Sequence, residues 1–223
     1  ACNTTGTQNV AVGAEALRRN TTANSNTAVG MSALATTTTG HSNTAVGLNS
    51  SVSLTTGSKN VVVGLNGGLE ITTGSDNTVI GVQGSPNLTT GSGNVTVGDI
   101  GTVSTRIFNL IGQDDKLILG HNNIATAYVK VDWTVTSDER DKMNFEEVPH
   151  GLDFVNQLKP VSFIFKKSRD NATPHGDTKY GFKAQDILKL EGDNPIIINN
   201  EDTDNLKVTN SHLIPVLVNA IKE

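Results

Sequence analysis

The sequence predicts a mostly β protein in two dissimilar parts, a β-solenoid of short coils and a small α+β domain that ends in a helix. Two observations carry this prediction. The first is a repeat with a fixed period of 17 residues over positions 1–98. The second is the distribution of charge, because only seven of the 39 Asp, Glu, Lys and Arg residues lie within positions 1–100. A boundary between such different compositions indicates separate domains.

The repeat is the unit Thr-Thr-Gly-x-x-Asn-x-x-(Val/Ile)-Gly, and six copies follow one another without an insertion. Glycine and asparagine columns define the period, at Gly13, Gly30, Gly47, Gly64, Gly81 and Gly98 and at Asn9, Asn26, Asn43, Asn60, Asn77 and Asn94. The unit is too short for a helical repeat, and fixed periods of this kind mark stacked solenoids. Because one coil buries little apolar surface, its stability must come from its neighbours.

Each unit is predicted to hold a short strand, such as Val61–Val63, because β-branched residues stand there between Asn and Gly. Side chains two apart share a strand face. We therefore predict one buried ladder, formed by Val12, Val29, Val46, Val63, Ile80 and Val97. The alternate column is mostly small, so neighbouring chains are expected to approach it closely: Ala11, Ala28, Ala45, Val62, Val79 and Thr96.

Three further features of the repeat lead to expectations. The period of Leu54, Ile71 and Leu88 predicts a second strand in each unit. The glycine columns suit turns with positive φ. The asparagine columns are expected to stack as hydrogen-bonded ladders, because the Asn side chain bonds readily to nearby groups.

Positions 99–136 are predicted to form a β connector. Over 128–136, Val129, Val131, Trp133 and Val135 alternate with polar residues, which predicts a half-buried strand. A second apolar run lies at 116–119. The charged part, 137–223, is predicted to contain helices near 150–158, at 184–190 and from about His212, strands at 161–166, 180–183, 196–199 and 206–209, and a loop at 168–178. Ser211 is expected to cap the last helix.

The stretch 136–142 has two interpretations. Ser137 and Lys142 stand five residues apart, and a Ser–Lys pair performs nucleophilic chemistry when a neutral lysine takes the hydroxyl proton. Alternatively, Thr136 and Glu139 match a capping box at the start of a helix. The residues by themselves favour the cap, because short motifs often match by chance.

The repeats resemble the heads of trimeric autotransporter adhesins, and related repeats occur in phage tail fibres. The resemblance implies a parallel β-roll within a homotrimer. The connector resembles the intertwined β-structure that precedes a chaperone segment in many phage fibres. The shaft is then expected to serve either as a rigid spacer or as a contact with a host-cell receptor, a protein or a glycan.

Four motifs occur in order in the charged part: Ser137-Asp138-x-Arg140-x-Lys142, Leu158-Lys159-Pro160-Val161, Tyr180-Gly181-Phe182-x-Ala184-Gln185-Asp186, and Leu213-Ile214-Pro215-Val216-Leu217-x-x-Ala220-Ile221-Lys222-Glu223. They resemble the self-cleaving intramolecular chaperone domain of phage tail fibres and endosialidase tailspikes, which also occurs in the myelin regulatory factor. Lys183 departs from the aliphatic residue usual there.

The resemblance implies a trimeric folding clamp at 137–223, which cleaves the chain at Thr136–Ser137 after assembly. Ser137 would be the nucleophile and Lys142 its base, so the dyad becomes the favoured interpretation of this stretch. The protein is then the C-terminal part of a phage tail fibre or tailspike, made in the host cytoplasm and carried in the virion, with the chaperone domain released. Because the chain begins within the repeat pattern, we expect it to be a piece of a longer protein.

Several functions are excluded or disfavoured by composition. The single cysteine, Cys2, and the scattered histidines leave no disulfide framework and no metal or cofactor motif. A net charge of −5 gives no nucleic-acid footprint, and no apolar run is long enough for membrane insertion. Two alternatives stay open, the head of a bacterial adhesin and a polysaccharide-degrading spike. Against the latter, the carboxylates of the repeats lie in different coils: Glu15, Glu70, Asp76 and Asp99.

Overall fold

The chain divides into two compact units, Ala1–Ile124 with Lys167–Ala172, and Ala125–Lys166 with Thr173–Glu223. The computed structural model describes residues 3–98, 108–121 and 124–223. The first unit extends past position 98, where the repeat period ends. The functional limits 1–98, 99–136 and 137–223 stay a prediction.

The first unit is a parallel β-solenoid with one three-residue strand in each coil. The strands are β1 Val10–Val12, β2 Thr27–Val29, β3 Thr44–Val46, β4 Val61–Val63, β5 Thr78–Ile80, β6 Val95–Val97 and β7 Leu117–Leu119. They form a single sheet in chain order, and β1 to β6 pair in the register of the repeat, for example Val10 with Thr27. The mostly β class and the solenoid predicted from the sequence are confirmed.

Strand β7 belongs to the stretch predicted as a connector. It pairs with β6 so that Leu117 lies beside Val95, a step of 22 residues instead of 17. Its middle residue, Ile118, is buried in the solenoid core. The apolar run at 116–119 therefore continues the stack beyond the sixth repeat. Residues 99–107, which lead into this coil, lie outside the described residues.

The buried side of the strands is the middle residue, so the predicted ladder is wrong. Ala28, Ala45, Val62, Val79 and Thr96 are fully buried. By contrast, Val12 is 56% exposed and Ile80 is 42% exposed. The coil is narrow, and large side chains already fill its opposite wall, so only a small or medium residue fits across from them. The small column therefore faces the interior of its own coil, and the larger β-branched columns point outward.

The opposite wall contains no second strand. Leu54, Ile71 and Leu88 are fully buried in the core, as their period suggested, but they lie at bends between turns. The predicted strand is wrong because this part of the coil bends too sharply for a ladder. Non-glycine residues there adopt positive φ, as at Leu34 and Ser51.

Two columns of this wall fill the same space in alternate ways. In the first coils the large residue comes early, with Leu17 followed by Asn20 and Leu34 followed by Thr37. In later coils it comes three residues later, in the pairs Ser51 and Leu54, Gly68 and Ile71, and Ser85 and Leu88. A Cβ built on Gly68 would lie 2.7 Å from Ile71 Cδ1. Each coil therefore has room for one large side chain at this level.

A ladder of buried asparagines runs through the stack, as the sequence predicted. The Asn60 side chain donates to Asn43 Oδ1 at 3.0 Å and to the Gly74 carbonyl at 2.9 Å. Its own Oδ1 accepts from the backbone and side chain of Asn77. A second ladder is made by threonine hydroxyls, each donating to a carbonyl of the next coil, at Thr4, Thr21, Thr38, Thr55, Thr72 and Thr89.

The two glycine columns meet different requirements. Gly30 has φ +134, as expected for its turn. Gly57 lacks positive φ, but a Cβ there would lie 2.2 Å from the Gly74 carbonyl oxygen. Positive φ thus explains only the first column, and the second is required by the close approach of successive coils.

The second unit begins with an irregular, exposed segment at 125–149 that contains one 3₁₀ turn, Glu139–Asp141. The elements that follow are α1 Leu152–Gln157, β8 Val161–Lys166, β9 Pro174–Gly181, α2 Ala184–Glu191, β10 Ile198–Asn199, β11 Lys207–Val208 and α3 Leu213–Lys222. β8 and β9 form an antiparallel hairpin, and β10 pairs with β11.

Three predictions for this part are wrong. The predicted strand at 128–136 is unpaired and exposed, because this chain offers it no partner strand among the described residues. The loop predicted at 168–178 is shorter, since β9 begins at Pro174. Ser211 lies within a 3₁₀ turn, Asn210–His212, and makes no side-chain cap to α3.

The core of the second unit lies between the helices and the short β10–β11 ladder. Its buried residues are Phe154, Ile187, Ile197, Ile198, Leu213 and Val216. Glu191, at the end of α2, fixes the strand entry, because its carboxylate accepts from the backbone N–H groups of Ile196, Ile197 and Ile198 at 2.8, 2.7 and 3.0 Å. Asn219 in α3 donates to the His150 carbonyl at 3.0 Å and so ties α3 to the start of α1.

We expect Asn60→Asp to destabilise the solenoid by about 3 kcal/mol or more, because a carboxylate cannot donate to Asn43 and Gly74 and its charge would be buried. Asn24→Asp is the matched control. Asn24 is exposed, and its Oδ1 only accepts, from Thr7, which a carboxylate also does. Thermal unfolding followed by circular dichroism measures the difference. Equal midpoints for the two variants would contradict the role of the ladder.

The alternate filling of the wall predicts a compensating pair. Ser51→Leu alone should overpack the third coil and cost about 1–3 kcal/mol, and Leu54→Thr alone should leave a cavity that costs about 2–4 kcal/mol. Together they recreate the Leu34 and Thr37 arrangement of the coil before. The double variant should therefore be more stable than either single variant, a coupling that denaturant unfolding of all four chains measures. Additive losses would show that the columns do not share one space.

Candidate active site

Ser137 and Lys142, the two predicted dyad residues, lie in direct contact. Lys142 Nζ is 2.6 Å from Ser137 Oγ and donates to the hydroxyl. Both residues are exposed in the single chain. If the lysine were neutral, the same nitrogen would be placed to accept the hydroxyl proton, which is the geometry that general-base activation of a serine needs.

A short turn brings the two residues together. The backbone N–H of Asp141 donates to the Asp138 carbonyl at 3.1 Å, and that of Lys142 donates to the Glu139 carbonyl at 3.0 Å. These bonds close the 3₁₀ turn Glu139–Asp141. The chain therefore folds back on itself between Ser137 and Lys142, so side chains five residues apart meet.

Asp138 caps this turn and pairs with Arg140. Its Oδ1 accepts from the Arg140 backbone N–H at 2.9 Å and from Arg140 Nε at 3.0 Å, and its Oδ2 accepts from the terminal guanidinium nitrogen at 2.6 Å. The guanidinium and the N–H hold the pKa of the Asp138 carboxyl below its usual value. In turn, the carboxylate raises the pKa of Arg140. The Asp138 carboxylate thus stays charged and bound within the turn.

The capping box suggested by Thr136 and Glu139 is wrong. The N-cap of the turn is Asp138, whose carboxylate reaches a donor two residues ahead. Thr136 is exposed, outside any helix or strand, and it forms the bond to Ser137 that the sequence predicts to be cut. Asp138 and Arg140 belonged to the quoted motif, but their pairing was missed. An acidic residue directly before a short turn was the available signal.

The other three motifs supply the core of the second unit. Leu158 lies at the end of α1, Phe182 lies between β9 and α2, and both pack against the buried cluster. Leu213 and Val216 of α3 are members of that cluster. Lys183, which departs from the expected aliphatic residue, is exposed at the start of α2, so its charge remains in water.

Two other kinds of site were searched for. Over residues 3–98, 108–121 and 124–223, no group of three or more His, Cys, Asp or Glu side chains is arranged to hold a metal ion. In the same part of the chain, no helix has the length and apolar character that a membrane crossing requires.

Comparison with known proteins identifies the C-terminal region. Residues 137–193 match the family model described as the chaperone of endosialidase, so this region is a chaperone domain of that family, for which self-cleaving peptidase activity is typical. The match begins at Ser137 and ends just after α2. Neither the search of curated proteins nor that of solved structures gives a match. A β-solenoid followed by such a domain fits the C-terminal region of a phage tail fibre or tailspike.

Proposed function

We propose that this chain is the C-terminal part of a phage tail fibre or tailspike carried in the virion. Residues 137–223 would hold three chains together while the β-structure forms and would then be released by cleavage at Thr136–Ser137. The observation that carries this proposal is the 2.6 Å contact between Ser137 Oγ and Lys142 Nζ, at the first residue of the matched chaperone segment.

In the proposed cleavage, Ser137 Oγ attacks the Thr136 carbonyl carbon while its proton passes to Lys142 Nζ. The tetrahedral intermediate collapses with rupture of the C–N bond, and the lysine returns the proton to the departing Ser137 amine. This leaves an ester between the Thr136 carbonyl and Ser137 Oγ. Water hydrolyses the ester, which yields the Thr136 carboxylate and the free serine hydroxyl.

Lysine acts as a base only when it is neutral, and removal from water favours that form. In the single chain both dyad residues are exposed. The surrounding segment also exposes large apolar side chains, with Val131 72%, Trp133 73% and Phe145 66% accessible. Cover by neighbouring chains would bury these side chains and dry the dyad, so cleavage would follow assembly.

The solenoid supports a homotrimer through its outer face. Three exposed apolar columns run along the strands and the turn after them: Val10, Val61, Val95 and Leu117, then Val12, Val63, Ile80, Val97 and Leu119, then Met31, Leu48, Leu65 and Val82. Monomeric proteins seldom expose a continuous apolar face of this length. Two further copies of the chain would cover it, since each copy presents the same face.

The shaft itself would act as a rigid spacer or as a surface for a host receptor, protein or glycan. The adhesin-head alternative has less support, because the solenoid is followed by a chaperone-family segment. A polysaccharide-degrading spike also has less support, because Glu15 is paired with Arg18 and Asp76 lies near Lys59. Neither carboxylate faces a second carboxylate, as glycoside hydrolysis requires.

We expect the assembled chain to yield fragments 1–136 and 137–223, and Ser137→Ala and Lys142→Ala to remain uncut. Lys142→Arg should also remain uncut, because a guanidinium stays protonated and cannot act as the base. Lys189→Arg is the control, since Lys189 is an exposed lysine of α2. Intact-mass spectrometry under denaturing conditions measures the products. Cleavage of Ser137→Ala at the parent rate, or an assembled parent that stays whole, would refute the mechanism.

We expect the parent chain to sediment as a trimer at micromolar concentration. The double variant Val63→Asp/Ile80→Asp should dissociate, because it places charges in the proposed contact face. Both residues are exposed in the single chain, so the coil itself should still form. Thr56→Asp/Thr73→Asp is the matched control in exposed positions away from the strands. A monomeric parent, or equal dissociation of both variants, would overturn the assignment of the face.

A further inference from the structure

The dyad turn contains more carboxylates than its chemistry uses. Asp138, Glu139 and Asp141 all lie between Ser137 and Lys142 in the sequence. A carboxylate binds an ammonium group more strongly than a neutral hydroxyl does. Among the residues that the structure describes, however, Lys142 forms no ion pair, and its Nζ contacts the Ser137 hydroxyl instead. The question is what keeps the lysine from its acidic neighbours.

Asp138 adjoins the nucleophile in sequence, and Arg140 occupies it. Three N–H donors of Arg140 reach its two oxygens, at 2.6 to 3.0 Å. Two of these donors come from the guanidinium, which binds both oxygens in the paired geometry that makes Arg–carboxylate contacts strong. The negative charge beside Ser137 is therefore already matched by a cation other than Lys142.

We propose that Arg140 is a positioning residue for the dyad, and that by occupying the Asp138 carboxylate it leaves Lys142 in contact with Ser137. The inference rests on the proposed self-cleavage and concerns the regulation of the same site. Without the guanidinium, the Asp138 carboxylate attracts the ammonium of Lys142. The lysine is then drawn from the serine and held in its charged form, in which it cannot take a proton.

This role differs from simple support of the turn. The cap requires only Asp138 Oδ1 and the backbone N–H of residue 140, and both survive the change Arg140→Gln. An asparagine at 138 also keeps the accepting oxygen. If Arg140 served only to hold the turn, loss of both charges would be at least as harmful as loss of one.

The experiment compares cleavage rates of the 223-residue chain and its variants after assembly, with trimer content checked by sedimentation. Arg140→Gln should cleave about tenfold more slowly near neutral pH or worse, because an opposite charge close by stabilises the ammonium. Its rate should recover at higher pH, so the midpoint of the pH profile moves upward. Asp138→Asn/Arg140→Gln should restore the rate and the midpoint toward those of the parent.

Arg18→Gln is the matched control, because Arg18 also pairs with an exposed carboxylate, that of Glu15, but lies in the solenoid. It should cleave at the parent rate. The inference is overturned if Arg140→Gln keeps the parent rate, or if the double variant is as slow as the single one. An assembled parent that never cleaves overturns the proposed function itself and this inference with it.

Discussion

The solenoid depends on hydrogen bonding from each coil to the next. Three-residue strands cannot satisfy the polar backbone of a 17-residue coil, so side chains complete the task. The buried Asn60 amide bonds to the coil on either side through Asn43 and Asn77, and the threonine hydroxyls donate to the next coil's carbonyls. Because these bonds require close approach, they impose the glycines and the narrow interior, which in turn decide which strand face is buried.

A narrow interior directs the larger side chains outward. Once Leu54 or Ile71 fills the wall, the strand can contribute only a small or medium residue, and the bulky columns remain on the surface. The unit is therefore a folded coil with an apolar exterior on one side. A protein of this kind needs other copies of itself to be soluble, and a domain that gathers the copies before their faces meet is a physical counterpart to that need.

The period and the strand positions were predictable from the sequence, because every column repeats and Val61–Val63 stands between Asn and Gly. The buried face was not, since both alternating columns are apolar and volume decides between them. At the dyad, spacing and family resemblance led to Ser137 and Lys142. The capping role of Asp138 was hidden by a competing pattern at Thr136 and Glu139. The segment at 128–136 could not be tested by local pattern, because any strand there needs a partner that the described residues do not provide.

A stack of equal coils has a problem of registry. If every step between strands were 17 residues, two neighbouring chains could slide by one whole coil and lose only the contacts at the ends, so misaligned assemblies would be nearly degenerate in energy. The step from Val95 to Leu117 is 22 residues, and its coil has no equivalent elsewhere in the array. A chain displaced by one coil would set this longer turn against an ordinary one, and the mismatch removes the degeneracy. The irregular coil thus acts as an alignment mark, next to the region where the chains must enter the connector in phase.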